Sequence, residues 1–249
     1  MLYSLCLSPQ AAYPFLLDPG LVMHRTRIKI CGIRRIEDAL AAAHSGADAI
    51  GLIFYPASSR AVTLAEAVAI KAALPPFISS VALFVNPERA WVEAVVHALK
   101  PAVLQFHGDE DADFCISFNM PYLKAIRIGG AMTQTDLLQY KAEFVSAQAL
   151  LLDKLDPLQY GGSGETFDWH LIPDEMREHI VLAGGLNPGN VASAVRTVRP
   201  WAVDVSSGVE SNIKSGIESS TAASIKTKDH AKIAAFIQQV RQADQDANV

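Results

Sequence analysis

Cysteine is scarce in this chain, basic residues never form a dense run, and no apolar stretch is long enough unbroken to span a bilayer. Each shortage removes a class of function. Cys6, Cys31 and Cys115 show no paired spacing and no partnering histidine cluster, which argues against a disulfide framework or a zinc site. They fit a reducing cytoplasm. Lys and Arg number 21 against 26 Asp and Glu, a net charge of -5, so neither nucleic acid nor a membrane surface is expected as a partner. Any positive potential must be local. The first Lys or Arg is Arg25, and Pro9, Pro14, Asp18, Pro19 and Gly20 break the apolar residues before it, so a secretory signal is not expected. Residues 1–24 are expected to be a loosely attached extension, or the product of a start set upstream of Met23.

What remains is a chain of 249 residues, half of them hydrophobic and only 19% charged, able to bury one large core. From Arg27 short β-rich runs alternate with helical stretches. The strand candidates are 27–31, 49–54, 79–85, 102–106, 122–128, 149–153, 180–183 and 202–205. Thr63 and Glu66 have the spacing of a capping box, and Asn86-Pro87 and Asn187-Pro188 each offer an N-cap followed by proline. Alternating strands and helices imply a parallel sheet with right-handed crossovers. Eight units predict an α/β fold of one domain over 25–245, a closed (β/α)8 TIM barrel, with an open doubly wound sheet as the alternative.

Strand alternation then assigns faces. Ile28 and Ile30 should face the helices, sending Lys29 and Cys31 inward; likewise Asp204 and Ser206, and Gln105 and His107, share inward sets. Cys31 and Asp153 each stand where an apolar strand stops, a proton-transfer group at the mouth. Lys29 is expected to lower the Cys31 thiol from its ordinary value of about 8.5. Asp204 is the rival acid, and His107 a substrate contact. The turns Gly184-Gly185 and Ser206-Ser207-Gly208, after the seventh and eighth strands, suit a phosphate held by backbone N–H groups. A third turn, Gly161-Gly162-Ser163-Gly164, follows the Asp153 strand and suggests close backbone approach to a ligand.

Taken together, Lys29-Ile30-Cys31-Gly32, Ser58-Ser59-Arg60, Gln105-Phe106-His107-Gly108, Leu152-Asp153, Gly161-Gly162-Ser163-Gly164, Gly184-Gly185-Leu186-Asn187-Pro188 and Asp204-Val205-Ser206-Ser207-Gly208-Val209-Glu210 resemble the phosphoribosylanthranilate isomerase family of tryptophan biosynthesis. The resemblance spans residues 27 to about 240. It implies an Amadori rearrangement of a small phosphosugar substrate without metal or cofactor. Cys31 would be the general base and Asp153 the general acid. Arg60 would hold the anthranilate carboxylate, His107 and Asp204 would contact substrate, and Gly162, Gly184, Gly185, Ser206 and Ser207 would bind phosphate. A related histidine-pathway isomerase uses two aspartates, which the cysteine on the first strand disfavours. A catalytically silent phosphosugar-binding barrel is disfavoured by retention of both Cys31 and Asp153. Two features depart from the family pattern: the extension at the start, and a Ser/Thr/Lys-rich insertion over 211–228, expected to be an exposed loop, in which Ser207-Gly208-Val209-Glu210-Ser211 recurs as Ser215-Gly216-Ile217-Glu218-Ser219.

Overall fold

The computed structural model describes residues 25–155, 166–211 and 227–247. Eight runs of aliphatic residues, short enough to exclude a buried helix, become β1 (Arg27–Cys31), β2 (Ala49–Ile53), β3 (Ser79–Phe84), β4 (Val103–Phe106), β5 (Tyr122–Ile128), β6 (Ala149–Lys154), β7 (Ile180–Leu182) and β8 (Ala202–Val205). Every neighbouring pair is parallel, and β8 returns to β1, closing the barrel in sequence order. The open sheet is therefore excluded. Expected and observed strand ends differ by no more than a residue.

The crossovers carry α1 (Ile36–Ser45), α2 (Leu64–Ala73), α3 (Arg89–Leu99), α4 (Ala112–Ile116), α5 (Gln134–Glu143), α6 (Val191–Val198) and α7 (His230–Ala247). Thr63 and Glu66 close the expected capping box of α2. The two Asn-Pro expectations fail. Asn86 takes a left-handed φ of 45° because its side chain accepts from the Asp109 N–H at 2.7 Å, and α3 begins only at Arg89. Asn187 turns back to accept from the Gly189 N–H at 2.8 Å, so α6 starts at Val191. After β6 the described residues hold two 3-10 segments, Trp169–Leu171 and Asp174–His179, in place of an α-helix. Pro173 stands between them; it lacks an N–H and confines Ile172 to extended backbone, so no helix can run through.

The main core lies between sheet and helices, where Ile28, Ile30, Leu104, Phe106 and Val203 are fully buried. α7 adds Ile233, Phe236, Ile237 and Val240 to this layer. Asp244 on α7 accepts from Thr26 through its N–H (2.9 Å) and hydroxyl (2.7 Å), pinning the last helix to the start of β1. Inside the barrel Ala125, Ala149, Leu151, Val181, Ala183 and Ala202 form a small apolar cluster, and Ile53, Leu83 and Val85 with Cys31 form an apolar wall at the mouth beside the polar groups. Among the described residues no helix is long and apolar enough to cross a membrane. The expected extension at 1–24, the turn containing Gly162 and most of the 211–228 insertion lie outside the described residues.

Candidate active site

The predicted strand faces set what reaches the mouth. Lys29 and Asp204 are register partners across the β1–β8 seam, and both side chains turn inward, so Lys29 Nζ donates to Asp204 Oδ2 at 2.8 Å. This ion pair is nearly sealed from water, while Asp204 Oδ1 is buried without a hydrogen bond. Two residues further along β1, Cys31 sits beside Gly51 of β2. A Cβ on Gly51 would lie 2.7 Å from Cys31 Sγ, so the thiol fills space that only glycine leaves open.

Lys29 does not lower the thiol as expected. Burial pushes the Cys31 thiol up, Asp204 adds to that push, and together they outweigh the downward pull of Lys29 and Lys228. The physical reason is first the burial of the sulfur, which disfavours the thiolate, and then Asp204, whose charge offsets part of the ammonium's field. The ammonium itself is held above its usual value: burial works against it, but Asp204 and Cys31 prevail.

From β6, Asp153 enters the same mouth and is almost fully buried. His107 Nε2 lies 3.2 Å from Asp153 Oδ2, and His107 Nδ1 is 3.0 Å from Gln105 Nε2. The first contact is close but too poorly aligned to be a hydrogen bond. His107 is thus packed between Gln105 and the acid rather than standing alone at the wall. Behind it, Glu110 accepts from the N–H groups of Asn86 (2.8 Å) and Gly108 (2.9 Å) and from Lys124 Nζ (2.8 Å), fastening the turns after β3 and β4.

Gly184 and Gly185 follow β7 in left-handed conformations, φ 80° and 66°. A Cβ on Gly184 would meet Lys154 N at 2.5 Å and Asp153 Oδ1 at 3.1 Å, so this turn presses directly on the acid's strand end. Ser206 and Ser207 follow β8, and Arg60 reaches in from the turn before α2. One open cavity is lined by Cys31, Arg60, His107, Asp153, Asp204 and the Gly184-Gly185 and Ser206-Ser207 turns. Every candidate on the described residues is therefore brought together; Gly162 lies outside them.

Two charged residues here escaped sequence reasoning. Glu210 takes Arg60 Nε at 2.6 Å and Nη2 at 2.9 Å, and Lys228 Nζ reaches Glu210 Oε1 at 3.1 Å. Lys228 is buried, contrary to the exposed loop expected up to that position. Its signal was absent because 211–228 has neither strand nor helix periodicity. Arg60 and Lys228 together hold the Glu210 carboxyl below its ordinary range despite burial. Among the described residues no cluster of three or more His, Cys, Asp or Glu could hold a metal ion.

The family model for N-(5'phosphoribosyl)anthranilate (PRA) isomerase matches residues 28–239. The N-(5'-phosphoribosyl)anthranilate isomerase of Pseudomonas savastanoi pv. phaseolicola is 50% identical over 218 residues, 88% of this chain and 98% of the relative. That of Nitrosospira multiformis is 46% identical over 214 residues, 86% of this chain and 96% of its own length. The crystal structure of phosphoribosyl anthranilate isomerase from Thermotoga maritima superposes with a TM-score of 0.73 at 40% identity, over 87% of this chain and 99% of that one. A phosphoribosyl anthranilate isomerase in complex with reduced 1-(o-carboxyphenylamino)-1-deoxyribulose 5-phosphate gives a TM-score of 0.71 at 36% identity, over 87% and 99%.

Proposed function

The chain belongs to the N-(5'-phosphoribosyl)anthranilate isomerase family, and we propose that Cys31 and Asp153 divide the proton transfers of that family's reaction between them. The enzyme rearranges N-(5-phosphoribosyl)anthranilate to 1-(2-carboxyphenylamino)-1-deoxyribulose 5-phosphate in tryptophan biosynthesis. Asp153 gives its proton to the furanose oxygen, and the ring opens to a Schiff base. The Cys31 thiolate then takes the proton from C2, leaving an enolamine that tautomerises to the amino ketone. Positioned acid and base groups typically contribute about a hundredfold to ten-thousandfold each. The observation that carries this assignment is that both residues, from strands on opposite sides of the barrel, line one cavity.

The remaining groups supply binding. The Nη1/Nη2 edge of Arg60 is left for the anthranilate carboxylate, since Glu210 engages Nε and Nη2. The Gly184-Gly185 and Ser206-Ser207 turns hold the phosphate through backbone N–H groups. Asp204 offers its unbonded Oδ1 to a sugar hydroxyl, and its engagement with Lys29 argues against a role as the acid. His107 steadies Asp153 and borders the substrate. No metal or cofactor is needed for these steps, and the partner is a small phosphosugar, not nucleic acid or a membrane. A reducing cytoplasm suits Cys31 and Cys115, both free thiols.

The test follows the fluorescence of phosphoribosylanthranilate, generated in situ, as purified protein consumes it. Arg60→Ala should raise KM with a smaller effect on kcat, because it removes a ground-state contact. An unchanged KM removes Arg60 from carboxylate binding.

A further inference from the structure

Glu210 and Lys228 do not line the cavity; they stand behind Arg60 and Ser206. All three charged residues are buried, at 7% for Arg60, 6% for Glu210 and 5% for Lys228. Taken alone, Arg60 and Glu210 form a neutral, bidentate pair. Such a pair has little net attraction for an anion, and a carboxylate on the free edge of Arg60 would face Glu210 across the guanidinium. Lys228 changes the balance. Its Nζ donates to Glu210 Oε1 at 3.1 Å and to the Ser206 carbonyl at 2.9 Å, which fixes it on the protein side of the pair. Two cations then share one carboxylate, leaving a net positive charge whose exposed face is Arg60.

We propose that Lys228 is the residue that makes the site selective for a ligand carboxylate, by neutralising Glu210 from behind so that the charge of Arg60 is available to the substrate. This rests on the assignment of Arg60 to the anthranilate carboxylate. Lys228 touches no substrate atom and acts through Glu210 and Arg60. Burial pulls its ammonium below the usual lysine value while Glu210 works to keep it charged, so the arrangement depends on that carboxylate. The backbone supports the same geometry: the Glu210 and Lys228 bridge and the Ser211 N–H to Thr227 carbonyl bond at 3.0 Å zip the two ends of the 211–228 insertion together. Asp38 of α1, bonded by Arg35 and His230, also accepts from the Lys228 N–H at 3.4 Å.

The test compares two ligands by calorimetry: reduced 1-(2-carboxyphenylamino)-1-deoxyribulose 5-phosphate and its phenylamino counterpart lacking the carboxylate. The readout is the ratio of their affinities. Lys228→Met should cut that ratio by about tenfold or more, beyond any loss both ligands share through the Ser206 turn that Lys228 also holds. Glu210→Gln, which leaves two cations facing no carboxylate, should hold or raise the ratio. A Lys228→Met protein that weakens both ligands equally has lost structure rather than selectivity, and overturns the proposal. If that variant does not fold, Glu210→Gln decides alone: a ratio that holds or rises supports the proposal, and a ratio that falls overturns it. Arg60→Gln separates the two levels. If it abolishes the ratio while Lys228→Met does not, only the role of Lys228 falls; if it leaves the ratio intact, the assignment of Arg60 falls with it.

Discussion

Replacing Lys29 by Met tests how the barrel tolerates charge at its closing seam. Lys29 and Asp204 are register partners of β1 and β8, bonded at 2.8 Å, with side chains only 5% and 8% exposed. Lys29→Met strips the partner from Asp204 Oδ2, while Oδ1 already has no hydrogen bond. Breaking a buried pair from one side costs about 3–5 kcal/mol, a large share of a total stability of about 5–15 kcal/mol. Asp204→Leu should cost a similar amount by stranding the ammonium. The double variant Lys29→Met/Asp204→Leu removes both charges next to the apolar cluster of Ala125, Leu151 and Val181, and should be more stable than either single one. Urea unfolding with linear extrapolation supplies the three free energies. If the double variant loses the sum of the single losses to within about 0.5 kcal/mol, the two residues are not coupled and the argument fails. Lys29→Met also removes a group that pulls the Cys31 thiol down, so the thiol should titrate at higher pH in that variant.

Burial holds the thiol above its ordinary value, and the base acts only when deprotonated. Alkylation of Cys31 by iodoacetamide, followed on the Cys31 peptide by mass spectrometry, should therefore still be accelerating as pH passes about 8.5, and a rate that levels off below pH 7 would contradict the sign of this shift. Gly51→Ala drives a methyl to within 2.7 Å of Cys31 Sγ, and should depress turnover strongly while the urea midpoint moves far less; undiminished turnover would show that the sulfur has room to move. A chain beginning at Met23 should keep full activity and its melting temperature, whereas one ending before Lys228 loses the buried Ile233, Phe236, Ile237 and Val240, each worth about 1.5–3 kcal/mol, and should not fold. Soluble, active protein without α7, or loss of activity from the first cut alone, would move the domain boundaries.

The barrel was legible because its signals are local and repeated. Period-two alternation in Ile28-Lys29-Ile30-Cys31 assigns faces without reference to any other strand: Ile28 and Ile30 join the layer under the helices, and Cys31 lines the cavity. Strand ends likewise carry Asp153 and Cys31 to the mouth. Pairings across the barrel were not legible. Lys29 with Asp204, His107 with Asp153 and Arg60 with Glu210 are separated by 175, 46 and 150 positions, and closure alone brings them together. The thiol expectation failed because barrel closure buries the sulfur, which raises the thiol most, and brings Asp204 across the seam to add to it; Lys29 itself was placed correctly and pulls the thiol down. Asn86 and Asn187 show a smaller version of the same limit. Both have the residue type of an N-cap, and each spends its side chain on a neighbouring loop group instead.

The central claim is that Cys31 and Asp153 move the protons while other groups hold the substrate. The most direct measurement pairs the turnover of Cys31→Ala and of Asp153→Asn with the affinity of each for the reduced product analogue. Each variant should lose at least about a hundredfold in kcat while binding the analogue nearly as tightly as the wild type, because proton transfer is lost and ground-state contacts are kept. Turnover near the wild-type rate in either variant, or affinity lost in proportion to rate, would contradict it.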